Sequence, residues 1–194
     1  GNSPSRPKAR RGTLARIMRQ ILQRLAILIG FIGIAWLGRA GLTDPDFADL
    51  YDPGIVAPDE PVQAKTSLQA FEHGRFKITP LASIKIEALV LRAKRYTKDR
   101  GPALSPLDLA LGWGPMSDPA VLDAIRINQR ERFYYWRTKD FPIPRSQIER
   151  CSANMHLIPA DDAVRSAMLK TRRGDVVQIE GQLVAVRADD GWRW

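Results

Sequence analysis

The sequence predicts an α+β protein: an N-terminal transmembrane helix, followed by a small mixed domain with a C-terminal β-meander or barrel-like sheet. Three observations lead to this fold class. The segment 25–43 is apolar on every helical face and holds one charged residue, Arg39. Several later segments alternate apolar and polar residues, as half-buried strands do. Between them, Ser-Pro and Asp-Pro pairs followed by apolar residues are typical of helix starts.

The basic residues of the chain are concentrated before its first acidic residue, Asp44. The whole chain has 30 lysines and arginines against 21 aspartates and glutamates, a net charge of +9. Eight of the basic residues precede Asp44, so the other 22 nearly balance the 21 acidic residues. A nucleic-acid-binding domain usually carries a basic patch on its fold. A basic block beside an apolar segment is typical of a membrane-topology signal instead. We therefore expect no nucleic-acid partner.

The apolar segment is short for a transmembrane helix. It has 14 consecutive uncharged residues, 25 to 38. They give about 21 Å of helix against a hydrocarbon core of about 30 Å. Arg24 and Arg39 can extend towards the headgroups from its two ends, and Trp36 lies where an interfacial aromatic side chain is expected. The sequence therefore predicts a transmembrane helix over residues 25–43.

A basic amphipathic segment, residues 1–24, precedes the predicted helix. Its apolar residues recur at helical spacing from Leu14 onwards, and arginines and glutamines take the other positions. By the positive-inside rule these residues are cytoplasmic, and everything after Thr43 lies outside. We therefore expect a single-pass protein of the bacterial inner membrane, in contact with the lipid bilayer, with its C-terminal domain in the periplasm.

Other interpretations of the N-terminal region stay open at this point. They are a cleaved signal peptide, a buried core helix and a helix lying on the membrane surface. The sequence Gly38-Arg39-Ala40 resembles a small-x-small cleavage site. With a preceding Met, the start GNSPS would fit a myristoylation pattern beside a polybasic second signal. A lipidated peripheral membrane protein is therefore one alternative.

The rest of the chain divides into an acidic, proline-rich linker, residues 44–66, and an extracytoplasmic α+β domain, residues 67–194. Strands are expected over 75–79, 83–96, 132–137 and 152–159. Helices are expected to begin near Ser105, Ser117 and Asp161. The segment 174–191 predicts short strands on either side of Gly181 and a turn at 189–191. The chain stops at Trp194 within an expected strand, so we expect the native protein to continue.

Three stretches carry a resemblance to known proteins: SPLDLALGWGPMSD, SANMHLIPA and GDVVQIEGQLVAVRADDGW, in this order within residues 54–194. The chain resembles an uncharacterised bacterial family of single-span membrane-anchored proteins with an extracytoplasmic α+β domain. The resemblance implies the N-terminal span, one domain outside, and a short Cys-containing tail after the last Trp. It implies no activity.

The stretch GWGPMSD, residues 112–118, concentrates residues that favour turns. In a functional interpretation it is a ligand loop that displays Trp113, with Ser117 and Asp118 as polar contacts. In a structural interpretation it is a tight turn with Trp113 in the core and Ser117 or Asp118 capping the next helix. The structural interpretation is the favoured one.

Aromatic residues are a second group of candidate ligand or partner contacts. Tyr134 and Tyr135 lie in an aromatic strand, and Trp192 and Trp194 share one face of the last strand. Aromatic side chains stack on sugars or pack against a partner, although in a strand they usually pack in a core.

Asn154 and His156 share a strand face and form either a small active site or a hydrogen-bonded structural network. Cys151 and His156 are five residues apart, which places them on opposite faces of one strand and argues against a Cys-His pair. His73 and His156 are isolated, and neither Cys-x-x-Cys nor His-x-x-x-His occurs. No metal site, cofactor or catalytic residue is predicted.

The predicted function is that of a membrane-anchored envelope scaffold or assembly factor, more a binding protein than an enzyme. Its expected partners are other membrane proteins or envelope components, and a homo-oligomer is possible. The alternative is a cell-wall module that binds or processes glycan or peptide. An open cleft that brought together Trp113, Tyr134 or Tyr135, and His156 would favour this alternative.

Overall fold

The structure is a computed structural model that describes residues 26–30, 45–98, 101 and 103–194. These residues form a small domain that is mostly antiparallel β-sheet with few helices. The predicted α+β class is thus confirmed in part, because strands dominate and the helices are short.

The described residues form nine strands: β1 (Ala26–Gly30), β2 (Val62–Ala64), β3 (Phe71–His73), β4 (Phe76–Arg95), β5 (Leu107–Gly112), β6 (Arg126–Arg130), β7 (Phe133–Arg137), β8 (Ser152–Pro159) and β9 (Val176–Ala188). Their α-helices are α1 (Pro119–Asp123), α2 (Arg145–Arg150) and α3 (Asp162–Met168). Single 3₁₀ turns occur at Phe47–Asp49 and Gly114–Ser117.

Seven of the strands form one sheet whose pairings close into a ring. Around the ring, β4 pairs with β5, β5 with β8, β8 with β1, β1 with β9, and β9 with β4. The pair β1–β8 is parallel and the other pairs are antiparallel. Outside the ring, β2 and β3 pair with β4, while β6 and β7 form a separate hairpin.

The long strand β4 contributes side chains to two hydrophobic cores. Before Leu81, Phe76 and Ile78 pack in the second core, which also holds Leu104, Ile158, Val184, Val186 and Ala188. After Leu81, Ile84 and Ile86 pack in the main core, the larger cluster of buried side chains from β4, β5, β8, β9 and the segments that pack against them. All four of these β4 positions are even, and side chains alternate between faces along a strand. The register against β9 shifts by one residue between Pro80 and Ala82, so the bulged Leu81 reverses which face the even positions occupy. The two strands expected over 75–79 and 83–96 are therefore one bulged strand.

Residues 26–30 differ from their prediction. They were expected in a transmembrane helix and instead form β1, between β8 and β9. A short apolar run suits a strand buried on both faces as well as a helix. The rest of the expected helix, with Trp36 and Arg39, and the flanking Arg24 lie outside the described residues. Within the described part of the chain, no helix is long and apolar enough to cross a bilayer.

The prediction of a helix after Ser105 is also wrong, because residues 107–112 form β5. All six residues of this strand are buried, so apolar residues lie on both faces and the alternation that marks a half-buried strand is missing. The helix expected after Ser117 is shorter than predicted: α1 ends at Asp123 and the chain enters β6.

Several other expectations are confirmed. β7 and β8 lie where strands were predicted, and Asp161 caps α3 by accepting a 2.7 Å hydrogen bond from the Val164 N–H. The turn at residues 189–191 is present, but β9 runs through Gly181 as one strand. The predicted meander of short strands is therefore wrong.

The segment expected as a linker contacts the domain. Phe47 is buried in the main core, with the Arg173 guanidinium 3.9 Å from its ring centroid. Ala57 is fully buried, and β2 pairs with residues 83–85 of β4. Packing against the sheet therefore begins before residue 67.

Candidate functional site

A buried carboxylate, that of Asp108, lies at the centre of a polar cluster in the interior. Asp108 is fully buried on β5. Its Oδ1 accepts a 2.9 Å hydrogen bond from Nη1 of Arg132, and Nδ1 of His156 lies 2.9 Å from the same oxygen. We call Asp108, Arg132 and His156 the charged cluster. Charged side chains are rarely buried unless they are paired, so this arrangement is the strongest candidate site.

The register of two strands brings Asp108 and His156 together. The two residues are directly opposite in the antiparallel pair β5–β8, and opposite residues project from the same face. That face of β8 also carries Ser152 and Asn154, so three polar side chains form a row along the strand. The row ends at Ile158, which packs in the second core.

Arg132 reaches the cluster from the turn of the β6–β7 hairpin. Glu131 and Arg132 have φ angles of 53° and 67°, as two-residue hairpin turns of type I′ require. The Arg132 guanidinium stacks on the Tyr96 ring, 3.6 Å from its centroid. The backbone N–H of Arg132 donates a 3.2 Å hydrogen bond to Tyr96 Oη. Positive φ strains a residue other than glycine, and these contacts offset the strain.

The polar row on β8 docks the hairpin. The hydroxyls of Tyr134 and Ser152 are 2.5 Å apart. Asn154 Oδ1 accepts from Gln129 Nε2 at 2.6 Å, and Asn154 Nδ2 donates to the Arg132 carbonyl at 3.2 Å. The candidate residue Asn154 therefore belongs to a hydrogen-bonded network between β8 and the hairpin.

The two candidate tryptophans lie beside this network. The Trp194 ring is 4.6 Å from that of His156 and 5.5 Å from Cζ of Arg132, so it covers the charged cluster. Two 2.8 Å backbone hydrogen bonds join Trp194 to Val186 of β9. Trp192 lies 5.6 Å from Trp194 and 6.1 Å from Phe76, and both tryptophans pack against the second core.

Four buried polar atoms around the charged cluster have no hydrogen-bond partner among the described residues. They are Ser105 Oγ, Asp108 Oδ2, Gln129 Oε1 and His156 Nδ1. The His156 atom is close to Asp108 but is not aligned for a hydrogen bond. Because buried polar atoms are normally paired, these atoms give the cluster the capacity to bind an ordered water or a small polar molecule. A carboxylate beside an imidazole can also orient the ring or exchange a proton with it.

Burial raises the pKa of two further side chains, Tyr96 beside the charged cluster and Cys151 away from it. Desolvation, with the charge of Asp108 as a further cause, raises the pKa of Tyr96, so its hydroxyl stays protonated at neutral pH. Desolvation also raises the pKa of the free Cys151 thiol, against an opposing effect of Arg150. Cys151 precedes β8, and its carbonyl accepts from the Trp113 N–H at 2.9 Å. The structure therefore does not join Cys151 and His156 in one site.

The loop of residues 112–118 has structural contacts. Trp113 is buried in the main core. Ser117 Oγ accepts a 3.0 Å hydrogen bond from Ala57 N and donates to the Gly114 carbonyl at 2.8 Å. Asp118 caps α1 through the Ala120 N–H at 2.9 Å. Gly112 is required because a Cβ there would overlap the Met116 carbonyl oxygen.

The hairpin carries a separate basic concavity of about 480 Å³. Its lining residues are Arg126, Ile127, Asn128, Arg130, Tyr135, Trp136 and Arg137. Tyr135 is exposed, and the Arg130 guanidinium lies 5.7 Å from its ring centroid. Three arginines without an acidic lining residue make this concavity suited to an anionic group.

The side chains whose convergence in an open cleft would favour the cell-wall alternative are spread over the domain. Trp113 follows the end of β5 at Gly112, which pairs with Ser152, whereas His156 lies four residues further along β8. Tyr134 is half-buried against Ser152, and Tyr135 points into the exposed concavity. The geometric condition that would favour the cell-wall alternative is therefore not met.

Sequence reasoning missed the residues at the centre of the site: Ser105, Asp108, Arg132 and Tyr96. A signal existed for Asp108, which is the lone charge in the run LDLALG and needs a partner when that run is buried. No local sequence pattern pointed to Arg132, because its position depends on how the β6–β7 hairpin packs against β8.

Metal-binding groupings of three or more His, Cys, Asp or Glu side chains are absent from the described residues. No protein-family model matches the chain, and neither a curated protein nor a solved structure is detectably similar to it.

Proposed function

We propose that the protein is a scaffold or assembly factor of the bacterial envelope, anchored in the inner membrane by residues 25–43. Its folded domain binds other membrane or periplasmic proteins. The anchor is supported by the basic block before Asp44 and the apolar run that follows it. The binding role is supported by an exposed apolar surface on the domain.

This surface lies along the outer side of β4, where β2 and β3 pair with it, and we call it the apolar edge. It comprises Val62 (65% exposed), Leu68 (55%), Phe71 (38%) and Leu81 (48%). All residues of β2 and β3 are exposed, and each of these strands has three residues. Val62 and Phe71 lie on these edge strands, Leu68 lies between them in sequence, and Leu81 is the bulged residue of β4. Large apolar side chains that are exposed in this number are candidate contacts for a protein partner. The apolar edge is the observation that carries the proposal.

A photo-crosslinking experiment tests the binding role. A benzophenone amino acid replaces Phe71 on the apolar edge or, as a matched control, the exposed Phe141. We expect a crosslinked protein adduct of defined mass at position 71, none at position 141, and loss of the adduct when Val62→Glu and Leu81→Glu are added. Equal crosslinking at both positions, or none, would remove the support for this surface.

A fusion experiment tests the topology. Alkaline phosphatase fused after Trp194 folds only when it is exported, so an anchored protein with an outside domain gives an active fusion. An inactive, well-expressed fusion would contradict the topology and would bring forward the lipidated peripheral alternative. The same fusion after residue 22 should be inactive.

The alternative of a cell-wall module retains one supporting observation, the basic concavity on the hairpin. Aromatic faces beside guanidinium groups suit a glycan or peptide that carries carboxylates. If the concavity binds cell wall, Arg130→Glu with Arg137→Glu should abolish sedimentation of the protein with purified peptidoglycan. Exchange of the exposed Lys77 and Lys139 for Glu is the charge-matched control.

A further inference from the structure

The ring of strands closes through residues that are also the predicted membrane anchor. β8 and β9 do not pair with each other; β1 lies between them and pairs with both. We call the space between His156–Pro159 of β8 and Glu180–Val184 of β9 the strand slot. In the structure, the five residues Ala26–Gly30 fill it.

The strand slot needs an occupant. Its two sides are strand edges whose backbone N–H and C=O groups require partners. The side chains on these edges are apolar and buried in the closed ring: Leu157, Ile158, Leu183 and Val184. An open slot would expose both apolar side chains and unpaired backbone groups.

Residues 26–30 cannot lie in the sheet and in the bilayer at the same time. In the anchored protein that we propose, they are part of the membrane segment, and the strand slot is available to another strand. The inference that follows rests on this proposed function and identifies how the domain holds a partner.

We propose that the strand slot is an acceptor site for an extended apolar segment of a partner protein of the envelope. The segment enters as the fifth strand of the ring and takes the place that β1 has in the structure. Strand addition of this kind derives affinity from main-chain hydrogen bonds and specificity from the side chains at alternate positions.

The neighbours of the slot fix the direction and the length of the segment. It runs parallel to β8 and antiparallel to β9, as β1 does. At one end the β9 edge is already taken, since Trp194 pairs with Val186. At the other end β8 stops at Pro159. About five residues fit between these limits, at about 3.3 Å of rise each.

The flanking residues set the chemistry of the segment. Its second position lies between Leu157 and Leu183, and its fourth between Pro159 and Gly181. Leu157 and Leu183 belong to the main core, so these two positions take uncharged, apolar residues. Its first position lies between His156 and Val184, beside the Trp194 ring that covers the charged cluster.

Hydrogen exchange of the full chain in phospholipid nanodiscs tests the proposal. The probe is a peptide AILIG flanked by two lysines at each end, and the matched control is AIPIG with the same flanks. Proline lacks the N–H that the ladder needs. We expect AILIG to slow exchange at least about tenfold over 156–158 and 180–184, with residues 107–112 unchanged, and AIPIG to have no effect.

Two results would overturn the proposal: protection of both segments before any peptide is added, or no response to AILIG. A cysteine pair then identifies the occupant of a protected slot. Ile27→Cys and Leu183→Cys, opposite in the structure, are introduced with Cys151→Ala. An intramolecular disulfide assigns the slot to the chain's own strand, and one between two differently tagged copies assigns it to a second copy.

The proposed function can fail independently. An active phosphatase fusion with no response to AILIG would keep the anchored binding protein and remove the strand slot as its binding site. An inactive fusion would remove the anchor, leaving residues 26–30 free to stay in the sheet.

Discussion

At the scale of single residues, Arg132 lies in a hairpin turn and yet contacts three other residues of the site. It pairs with Asp108, stacks on Tyr96 and lies below Trp194. Asp108 is fully buried, and Arg132 forms an ion pair with its carboxylate. Removing one partner of a buried ion pair leaves the other charge uncompensated.

We therefore expect Arg132→Met to lower the free energy of unfolding by about 3–5 kcal/mol. Adding Asp108→Asn should recover part of this loss, because the uncompensated charge is then removed. Urea unfolding followed by tryptophan fluorescence measures both effects. The control Arg137→Met, at an exposed position of the same hairpin, should change stability by less than about 0.5 kcal/mol. A similar small effect for Arg132→Met would contradict the assigned role of the pair.

The buried Cys151 gives a prediction that depends on pH. Its pKa is raised in the folded state, chiefly by desolvation. The folded protein therefore holds the thiol proton more tightly than the unfolded chain does. The resulting stability is complete below the unfolded pKa of about 8.5. It is lost as pH rises through the folded pKa.

Iodoacetamide should consequently alkylate native Cys151 slowly at pH 8 and rapidly in urea, as mass spectrometry can follow. Cys151→Ala should show a smaller fall in stability between pH 8 and pH 10 than the wild-type chain. Equal alkylation rates in native and unfolded protein would show that the thiol is accessible and its pKa normal.

At the scale of elements, the bulge in β4 decides which side chains reach which core. Deleting Leu81 removes the extra residue, and a one-residue shift turns every side chain on one side of it to the other face. Phe76 and Ile78 would then leave the second core. Burial of such side chains is worth about 1.5–3 kcal/mol each. We expect the deletion to cost about 3–6 kcal/mol or to prevent folding.

The matched control for this deletion is Leu81→Gln, which keeps the residue count at a half-exposed position. It should change stability by less than about 0.5 kcal/mol. Circular dichroism melting compares the two variants. If both melt like the wild-type chain, the bulge does not set the packing of β4.

The elements that were predicted correctly have local signals. β7 is a short aromatic run and β8 a mostly apolar one, and both patterns are typical of strands. Helix α3 follows Asp161, the residue that caps it. β5 was misread because burial on both faces removes alternation, while Ser105-Pro106 imitates a helix start. In β9, Gly181 suggested a turn, yet the strand continues through it.

The site was less predictable than the elements. Spacing within one strand placed Asn154 beside His156, and aromatic character alone singled out Trp194, but the sequence did not predict that Trp194 lies against His156. Their contacts with Asp108 and Arg132 depend on the β5–β8 register and on the docking of a hairpin. Both are long-range features that no local pattern encodes.

At the scale of the whole molecule, residues 26–30 have two incompatible assignments. They form β1 of the sheet in the structure, and they belong to the membrane anchor that we propose. Residues 26–30 complete the ring of strands in the structure, whereas the eight basic residues before Asp44 favour the membrane anchor that we propose for the same region. In the anchored protein that we propose, the balance between these two states would depend on the bilayer and on a strand that replaces β1. The basic residues before Asp44 can be substituted without changing any residue of the folded domain.

We expect exchange of Arg10, Arg11, Arg16 and Arg19 for Gln to weaken the orientation signal, because basic residues near a span determine which side stays in the cytoplasm. The activity of phosphatase fused after Trp194 should fall at equal expression. The control removes four exposed charges from the domain instead, by exchange of Lys77, Lys94, Lys98 and Lys139 for Gln, and should leave the activity unchanged. If the two sets act alike, net charge and not the N-terminal block governs export. If neither acts, the apolar segment determines its orientation without these four arginines.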